Sequence, residues 1–207
     1  MGILEALGAR FYCGGREVNN ITPAHFMEID QIDLQTLEQF MMTCKCTILC
    51  DVNNPLVGPE GAAHIFGPQK GANKEMVDQL EKGIIQMAKL LEKSCQPACR
   101  DPMMDFEGGG AAGGVAAGLF AAIDANIVNG GEKILELAQF EDHLKGADLV
   151  ITGEGKIDEQ TNYGKGPGLV AQLAHEHGVK VIGLSGALEE DTSKIKYFDQ
   201  LIAISDK

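Results

Sequence analysis

Tryptophan is absent from this 207-residue chain, and aromatic residues make up only 5% of it. A core must therefore be assembled from Leu, Ile, Val, Ala and Met, which an apolar share of 44% supplies at a globular level. No run of about 18 apolar residues occurs, so no bilayer-spanning helix is expected. A secretory apolar region and a twin-arginine signal are missing as well. Basic residues are few: 17 Lys and Arg stand against 30 Asp and Glu, a formal charge of −13. Nucleic acid and anionic membrane surfaces are both disfavoured as partners, because each is held by a basic footprint. The acidity reads as a device for solubility. It still leaves room for a phosphorylated ligand gathered by local Lys and backbone N–H groups. Six cysteines are too sparse for a disulfide scaffold. Neither Cys44-Lys-Cys46 with Cys50 nor Cys95-x3-Cys99 has a partner pair at a zinc spacing. A cytoplasmic setting is expected. Gly-x-Ser-x-Gly, His-Glu-x-x-His, Cys-x-x-Cys and Walker A sequences are also lacking.

What the chain does have is glycine, 26 residues, roughly twice the usual share. The glycines cluster at 108–118 and 153–168, which points to loops shaped by their backbone. The most informative stretch is Asp51-Val-Asn-Asn-Pro55 through Gly61, continued by Phe66-Gly-Pro-Gln-Lys-Gly71, which mixes prolines and glycines with a carboxylate, amides and an ammonium. Prolines fix φ and glycines permit positive φ, so this loop is rigid beyond the needs of a linker. The apolar segment Thr47–Val52 reads as a buried strand that delivers Asp51 into it.

Periodicity places the other elements. Met1–Gly8 reads as a helix without an N-cap, residues 9–33 as short strands with a hairpin at Gly14-Gly15, and Leu34–Met42 as a short helix. Asn73–Lys93 is a long amphipathic helix capped by Asn73. A small-residue helix, Val115–Ile123, follows the loop Gly108–Gly114. Two short helical pieces, Glu132–Leu137 and Phe140–Leu144, precede a change of texture. From there Asp148–Thr152, Lys180–Ser185 and Gln200–Ile204 read as apolar strands, with a loop at Gly153–Gly166 and a helix at Pro167–His177. Buried strands alternating with helices indicate an α/β fold with a parallel sheet. A domain border is expected near residue 147, giving 1–147 and 148–207.

Four groups of residues carry chemistry. In the first, Asp51, Asn53 and Asn54 can hold Mg²⁺ or the hydroxyls of a sugar acid, and Lys70 can neutralise a carboxylate or phosphate. Turn chemistry with a surface Lys70 explains the same residues equally well. His64, in the same stretch, ranks below Lys70. In the second, the N–H groups of Gly113 and Gly114 can face an anion before a helix, or the small residues can serve close packing. The third is Thr152-Gly-Glu154-Gly-Lys156-Ile-Asp158-Glu-Gln160 with Gly164-Lys165, beyond the carboxyl end of a strand, where open α/β sheets bind ligands. Glu154 and Asp158 can share a metal or act as base there, and Lys165 suits phosphate oxygens. A solvated acidic loop is the plain alternative. The fourth, Ser185-Gly186, reads as a strand-to-loop exit that borders a nucleotide or simply turns.

Taken together, Cys50-Asp-Val-Asn-Asn-Pro-Leu-Val-Gly58, Gly61-Ala62, Ile65-Phe-Gly-Pro-Gln-Lys-Gly-Ala72, Gly110-Ala-Ala-Gly-Gly114 and Ile151-Thr-Gly-Glu-Gly-Lys-Ile-Asp158-Glu-Gln160 through Gly164-Lys165 resemble the bacterial glycerate kinase family, of the glycerate 2-kinase type. The resemblance runs over essentially the whole chain. It implies two α/β domains, a mixed α/β domain inserted into a Rossmann-like parallel-sheet domain. It implies ATP-dependent phosphorylation of D-glycerate with Mg²⁺, at the 2-hydroxyl, and a homodimer as a candidate assembly. Asp51, Lys70 and Asp158 would then be catalytic. Asn53, Asn54, Gly113, Gly114 and Lys165 would bind substrate, and Asp51, Glu154 and Asp158 would be metal candidates. Two loops expected in the N-terminal part of that family, one like Asp-Ser-x-Lys and one like Gly-Gly-Ser-Ala-Thr-x-Asp-Gly-Gly, do not occur. The expectation is a chain shortened at both ends, with 1–147 the nearly complete insert and 148–207 part of the Rossmann-like domain. The alternative is a catalytically inactive fragment that still binds ligand.

Overall fold

A computed structural model describes residues 1–37, 44–95, 102–104, 106–162, 165–188 and 191–205. The chain divides into two compact units, Met1–Val128 and Asn129–Lys207. The division falls ahead of the change in texture near 147. The helices Gly130–Leu137 and Phe140–Leu144 explain the difference, since Phe140 and Leu144 pack with Ala171, Ala174 and Val181 in the second unit's core.

In the first unit, the helix Gly2–Ala6 leads to strands β1 (Arg10–Cys13), β2 (Arg16–Val18) and β3 (Gln31–Asp33). They form an antiparallel sheet in the order β2-β1-β3. The β1–β2 hairpin turns through Gly14 and Gly15, which both have positive φ, as a two-residue primed turn demands. The expected helix Leu34–Met42 lies partly outside the described residues. Strand β4 (Thr47–Cys50) pairs with β5 (Asn126–Asn129), which the sequence reading did not foresee.

The long helix observed at Lys74–Cys95 matches its periodicity and buries Val77, Met87, Ala88 and Leu91. Asn73 caps it by accepting a hydrogen bond from the Met76 amide at 2.9 Å. The unit's core joins Leu4, Phe11, Ile29, Leu37, Leu56, Met87, Leu91, Met103 and Ala117, an aliphatic and Met-rich set as the composition requires. Burial of each large side chain contributes about 1.5–3 kcal/mol.

The second unit contains a parallel three-stranded sheet, β6-β7-β8, formed by Leu149–Ile157, Lys180–Leu188 and Gln200–Ala203. The helix Gly166–Glu176 crosses over between β6 and β7 and covers one sheet face, where Val150 and Val181 join Ala171 and Ala174. The other face leaves apolar side chains in solvent. Leu149, Ile151 and Ile202 are 44%, 60% and 36% exposed, and Ile204 just beyond β8 is 70% exposed.

Strands β6 and β7 run farther than expected. The segment Gly153–Ile157 has the composition of a loop but pairs with β7 as far as Ile157↔Leu188. Glycine makes this possible at Gly153, where a Cβ would lie 2.2 Å from the Leu184 carbonyl oxygen. Glu154 and Lys156 therefore sit on a strand. Ser185-Gly186 is likewise internal to β7, which corrects the expected strand exit.

Candidate functional site

In the first unit, β4 ends at Cys50 and releases Asp51, which is exposed, as is Asn53. The loop that follows is bound to the glycine-rich segment. The Gly110 amide donates to Asn54 O at 2.9 Å. A Cβ at Gly110 would lie 2.3 Å from Pro55 O, and one at Gly108 would lie 2.9 Å from Cys50 Sγ. Glycine is thus required for close approach, and the first two sequence groups form one structure. The Asn54 side chain braces its own loop, its Nδ2 donating to Glu60 O at 2.9 Å. The Gly58 amide donates to Glu81 Oε1 at 2.6 Å, which ties the loop to the long helix. The other oxygen of Glu81 stands 3.6 Å from His64 Nδ1.

The glycine-rich segment enters the helix Ala111–Ile123 through an unusual start. Ala112, Gly113 and Gly114 all have left-handed backbone conformations, with φ of 51°, 73° and 91°. The amides of Gly113 and Gly114 both donate to Gly110 O, at 3.0 and 3.2 Å. An anion contact through these two N–H groups would have to compete with that carbonyl. Gly113 and Lys70 line a cavity of about 740 Å³, which is walled mainly by apolar side chains such as Phe26, Met27, Phe66 and Leu80. Lys70 reaches it from a short 3₁₀ turn, Pro68–Lys70, closed by Gly71 at φ 90°. Asp51, Asn53 and Asn54 are not among the cavity's lining residues.

The second unit assembles a charged cluster where β6 ends. Asp158 follows the last strand residue, and its carboxylate, 16% exposed, stands 3.3 Å from Lys156 Nζ and 3.6 Å from Lys165 Nζ. Lys165 occupies the position just before the helix Gly166–Glu176. Glu154 accepts a hydrogen bond from the Thr161 hydroxyl at 2.8 Å. Lys194 and Glu159 form a further ion pair at 3.6 Å. Glu154, Asp158 and Lys165 thus lie close together, with Lys156 beside them; Gly164 lies outside the described residues.

Among the described residues two polar side chains are buried, Thr161, which no sequence motif singles out, and Ser185, whose burial inside a strand the sequence did not indicate. Ser185 accepts from the Ile157 amide at 3.0 Å and donates to Ala187 O, so its hydroxyl is engaged inside the sheet. No spacing rule distinguishes such residues from loop Ser and Thr, because their value lies in partners that the fold supplies. Among the described residues, no three His, Cys, Asp or Glu side chains gather as a metal cluster. No described helix is long and apolar enough to cross a membrane.

The whole chain, residues 1–207, matches the glycerate kinase family. It is 38% identical to a glycerate kinase of Bacillus subtilis strain 168, over 94% of this chain and 50% of that protein. It is 36% identical to glycerate 2-kinase of Escherichia coli K12, over 94% of this chain and 50% of that protein. A crystal structure from Salmonella typhimurium LT2, provisionally assigned as glycerate kinase 2, superposes with a TM-score of 0.81 at 35% identity, covering 100% of this chain and 52% of that one. The mixed α/β architecture with its parallel sheet is therefore that of this structural neighbour. The chain spans about half the length of these relatives. It belongs to the glycerate kinase family.

Proposed function

We propose that this chain carries the ligand-binding elements of an ATP-dependent kinase that phosphorylates D-glycerate, with 2-phosphoglycerate as the product. The relatives named glycerate kinase and glycerate 2-kinase support this reading. The observation that carries it is the Asp158 cluster: a carboxylate flanked by two ammonium groups at the carboxyl end of a parallel strand and beside a helix start. Phosphoryl transfer demands positioning and positive charge, with little covalent work from the protein. We assign the first unit to the substrate side and the second to part of a Rossmann-like domain.

Each unit contributes separate parts. At the end of β4, Asp51 and Asn53 are exposed and suited to the polar groups of a hydroxy acid. Lys70 supplies positive charge for a carboxylate or phosphate. Asn54 acts by holding the loop, through its bond to Glu60 O. In the second unit, Lys156 and Lys165 receive phosphate oxygens, which would exchange one anionic partner, Asp158, for another. Asp158, released from its ammonium partners, is then able to accept a proton.

Magnesium in kinases is held by one or two carboxylates together with phosphate oxygens and water. The exposed carboxylate of Asp51 fits that demand. Asp158 fits it less well, since two ammonium groups already face it. When bound, the ion would neutralise charge on the phosphates.

The test is ADP formation from MgATP and D-glycerate, run beside calorimetric titration of D-glycerate into the 207-residue chain. Glycerate-dependent ADP formation supports the kinase reading. Binding without turnover moves the assignment to the alternative, an inactive ligand-binding chain. Neither binding nor turnover overturns both.

A further inference from the structure

Among the described residues, Thr161 is the more deeply buried of two buried polar side chains, with none of its surface exposed. It bridges the Glu154 carboxylate and the Asp158 backbone in the second unit's cluster. Its hydroxyl donates to Glu154 Oε1 at 2.8 Å and accepts from the Asp158 amide at 3.3 Å. Its own amide donates to Asp158 O at 2.9 Å. One residue therefore holds both backbone polar groups of Asp158 and also anchors Glu154. The helix Gly166–Glu176 closes on the same point. A Cβ at Gly168 would lie 1.8 Å from Thr161 O and 3.5 Å from its Cγ2. Lys165, one of the two ammonium partners of Asp158, stands at the start of that helix.

We propose that Thr161 is a positioning residue: its hydroxyl links Glu154 on β6 to the Asp158 backbone and so sets how the Asp158 carboxylate and its flanking lysines meet a phosphate. The inference rests on the kinase reading for the reaction it serves, whereas the linkage itself is a property of the fold. Burial gives the link its weight. A covered donor or acceptor stripped of its partner is costly in proportion to its burial, and the half-buried Asp158 and Glu154 would each lose the bond to the Thr161 hydroxyl.

Two substitutions separate positioning from packing. Thr161→Val keeps the shape and removes the hydroxyl. Thr161→Ser keeps the hydroxyl and removes the methyl. The readout is hydrogen exchange of the Asp158 amide by NMR, measured on the 207-residue chain without ligand. Exchange should be about 10-fold faster in Thr161→Val and within about 2-fold of the unsubstituted chain in Thr161→Ser. In turnover assays Thr161→Val should lower kcat about 10-fold with the glycerate KM within about 2-fold, and Thr161→Ser should restore kcat. The reverse order, or equal effects of the two substitutions, would overturn the proposal. Should Thr161→Val fail to fold, Glu154→Ala breaks the link from its other end. Faster Asp158 exchange in Glu154→Ala supports the proposal, and unchanged exchange overturns it. Absence of turnover in the unsubstituted chain counts against the kinase reading alone, and the exchange order then decides the role of Thr161.

Discussion

Asp51 and Asp158 are both carboxylates that follow a strand, yet their surroundings differ. Asp51 is exposed, while Asp158 is mostly covered and flanked by two ammonium groups. Asp51→Asn tests whether the exposed carboxylate acts in chemistry. As a base or metal ligand, its loss should lower kcat at least about 100-fold in the glycerate-dependent ADP assay. A change of only a few-fold would assign Asp51 to turn chemistry. A second residue-scale outcome concerns Asp191, whose carboxyl caps the turn Thr192–Lys194. Bonds from the Ser193 hydroxyl and amide hold its pKa below the ordinary value of 3.8. A folded carboxyl that titrates lower than its unfolded counterpart contributes stability above the unfolded pKa, and the contribution is lost as pH falls through the folded pKa. Exchange of the Ser193 amide, corrected for its intrinsic pH dependence, should therefore lose protection as the solution is acidified below about pH 4. Constant protection down to the acid-unfolding point would remove this capping role.

At the scale of elements, legibility followed how far each segment's conformation is decided locally. The helix Lys74–Cys95 was readable because its apolar stripe and Asn73 cap are sequence features with a single structural meaning. The hairpin at Gly14-Gly15 was readable for the same reason. The carboxyl half of β6 was not, since Gly-Glu-Gly-Lys has the composition of a loop and becomes strand only where β7 lies alongside. Strand β5 and the helix Ala62–Phe66 were hidden in the same way, being short and dependent on their neighbours. The association of the Asp51 loop with the glycine-rich segment was also illegible. Both were identified as ligand-binding candidates, but the 2.9 Å bond joining Gly110 to Asn54 links residues far apart in sequence. The start of the helix Ala111–Ile123 gives a prediction at this scale. Ala112 adopts φ 51°, a conformation costing a non-glycine residue about 1–2 kcal/mol. Ala112→Gly relieves that strain against an unfolded-state entropy cost of about 0.5–1 kcal/mol. The net expectation is a gain of between zero and about 1.5 kcal/mol in urea denaturation. A loss of stability would show that the left-handed start is not strained.

For the whole molecule, the division into Met1–Val128 and Asn129–Lys207 comes with two separate apolar cores. The larger gathers Leu, Ile, Met and Phe side chains around the long helix, and the smaller relies on Ala171, Ala174, Val179, Val181 and Leu144. Cores of such unequal size should not melt as one. Scanning calorimetry is expected to give a van't Hoff enthalpy below the calorimetric one, with the second unit's signals lost first. Equality of the two enthalpies would mean a single cooperative transition. The family's overall α/β character was legible from the alternation of apolar strands and helices. The membership of the helix Phe140–Leu144 in the second unit's core shows only through packing, which no local pattern announces.

The bare side of β6-β7-β8 carries a colloidal consequence. Leu149, Ile151, Ile202 and Ile204 offer water a greasy plane that a neighbouring molecule would gladly cover. What keeps such molecules apart is their shared surplus of negative charge, −13 for each chain. That repulsion fades within a Debye length, which shrinks to about 3 Å in molar salt. Concentrated brine would thus turn a dispersed solution into one where these planes find each other.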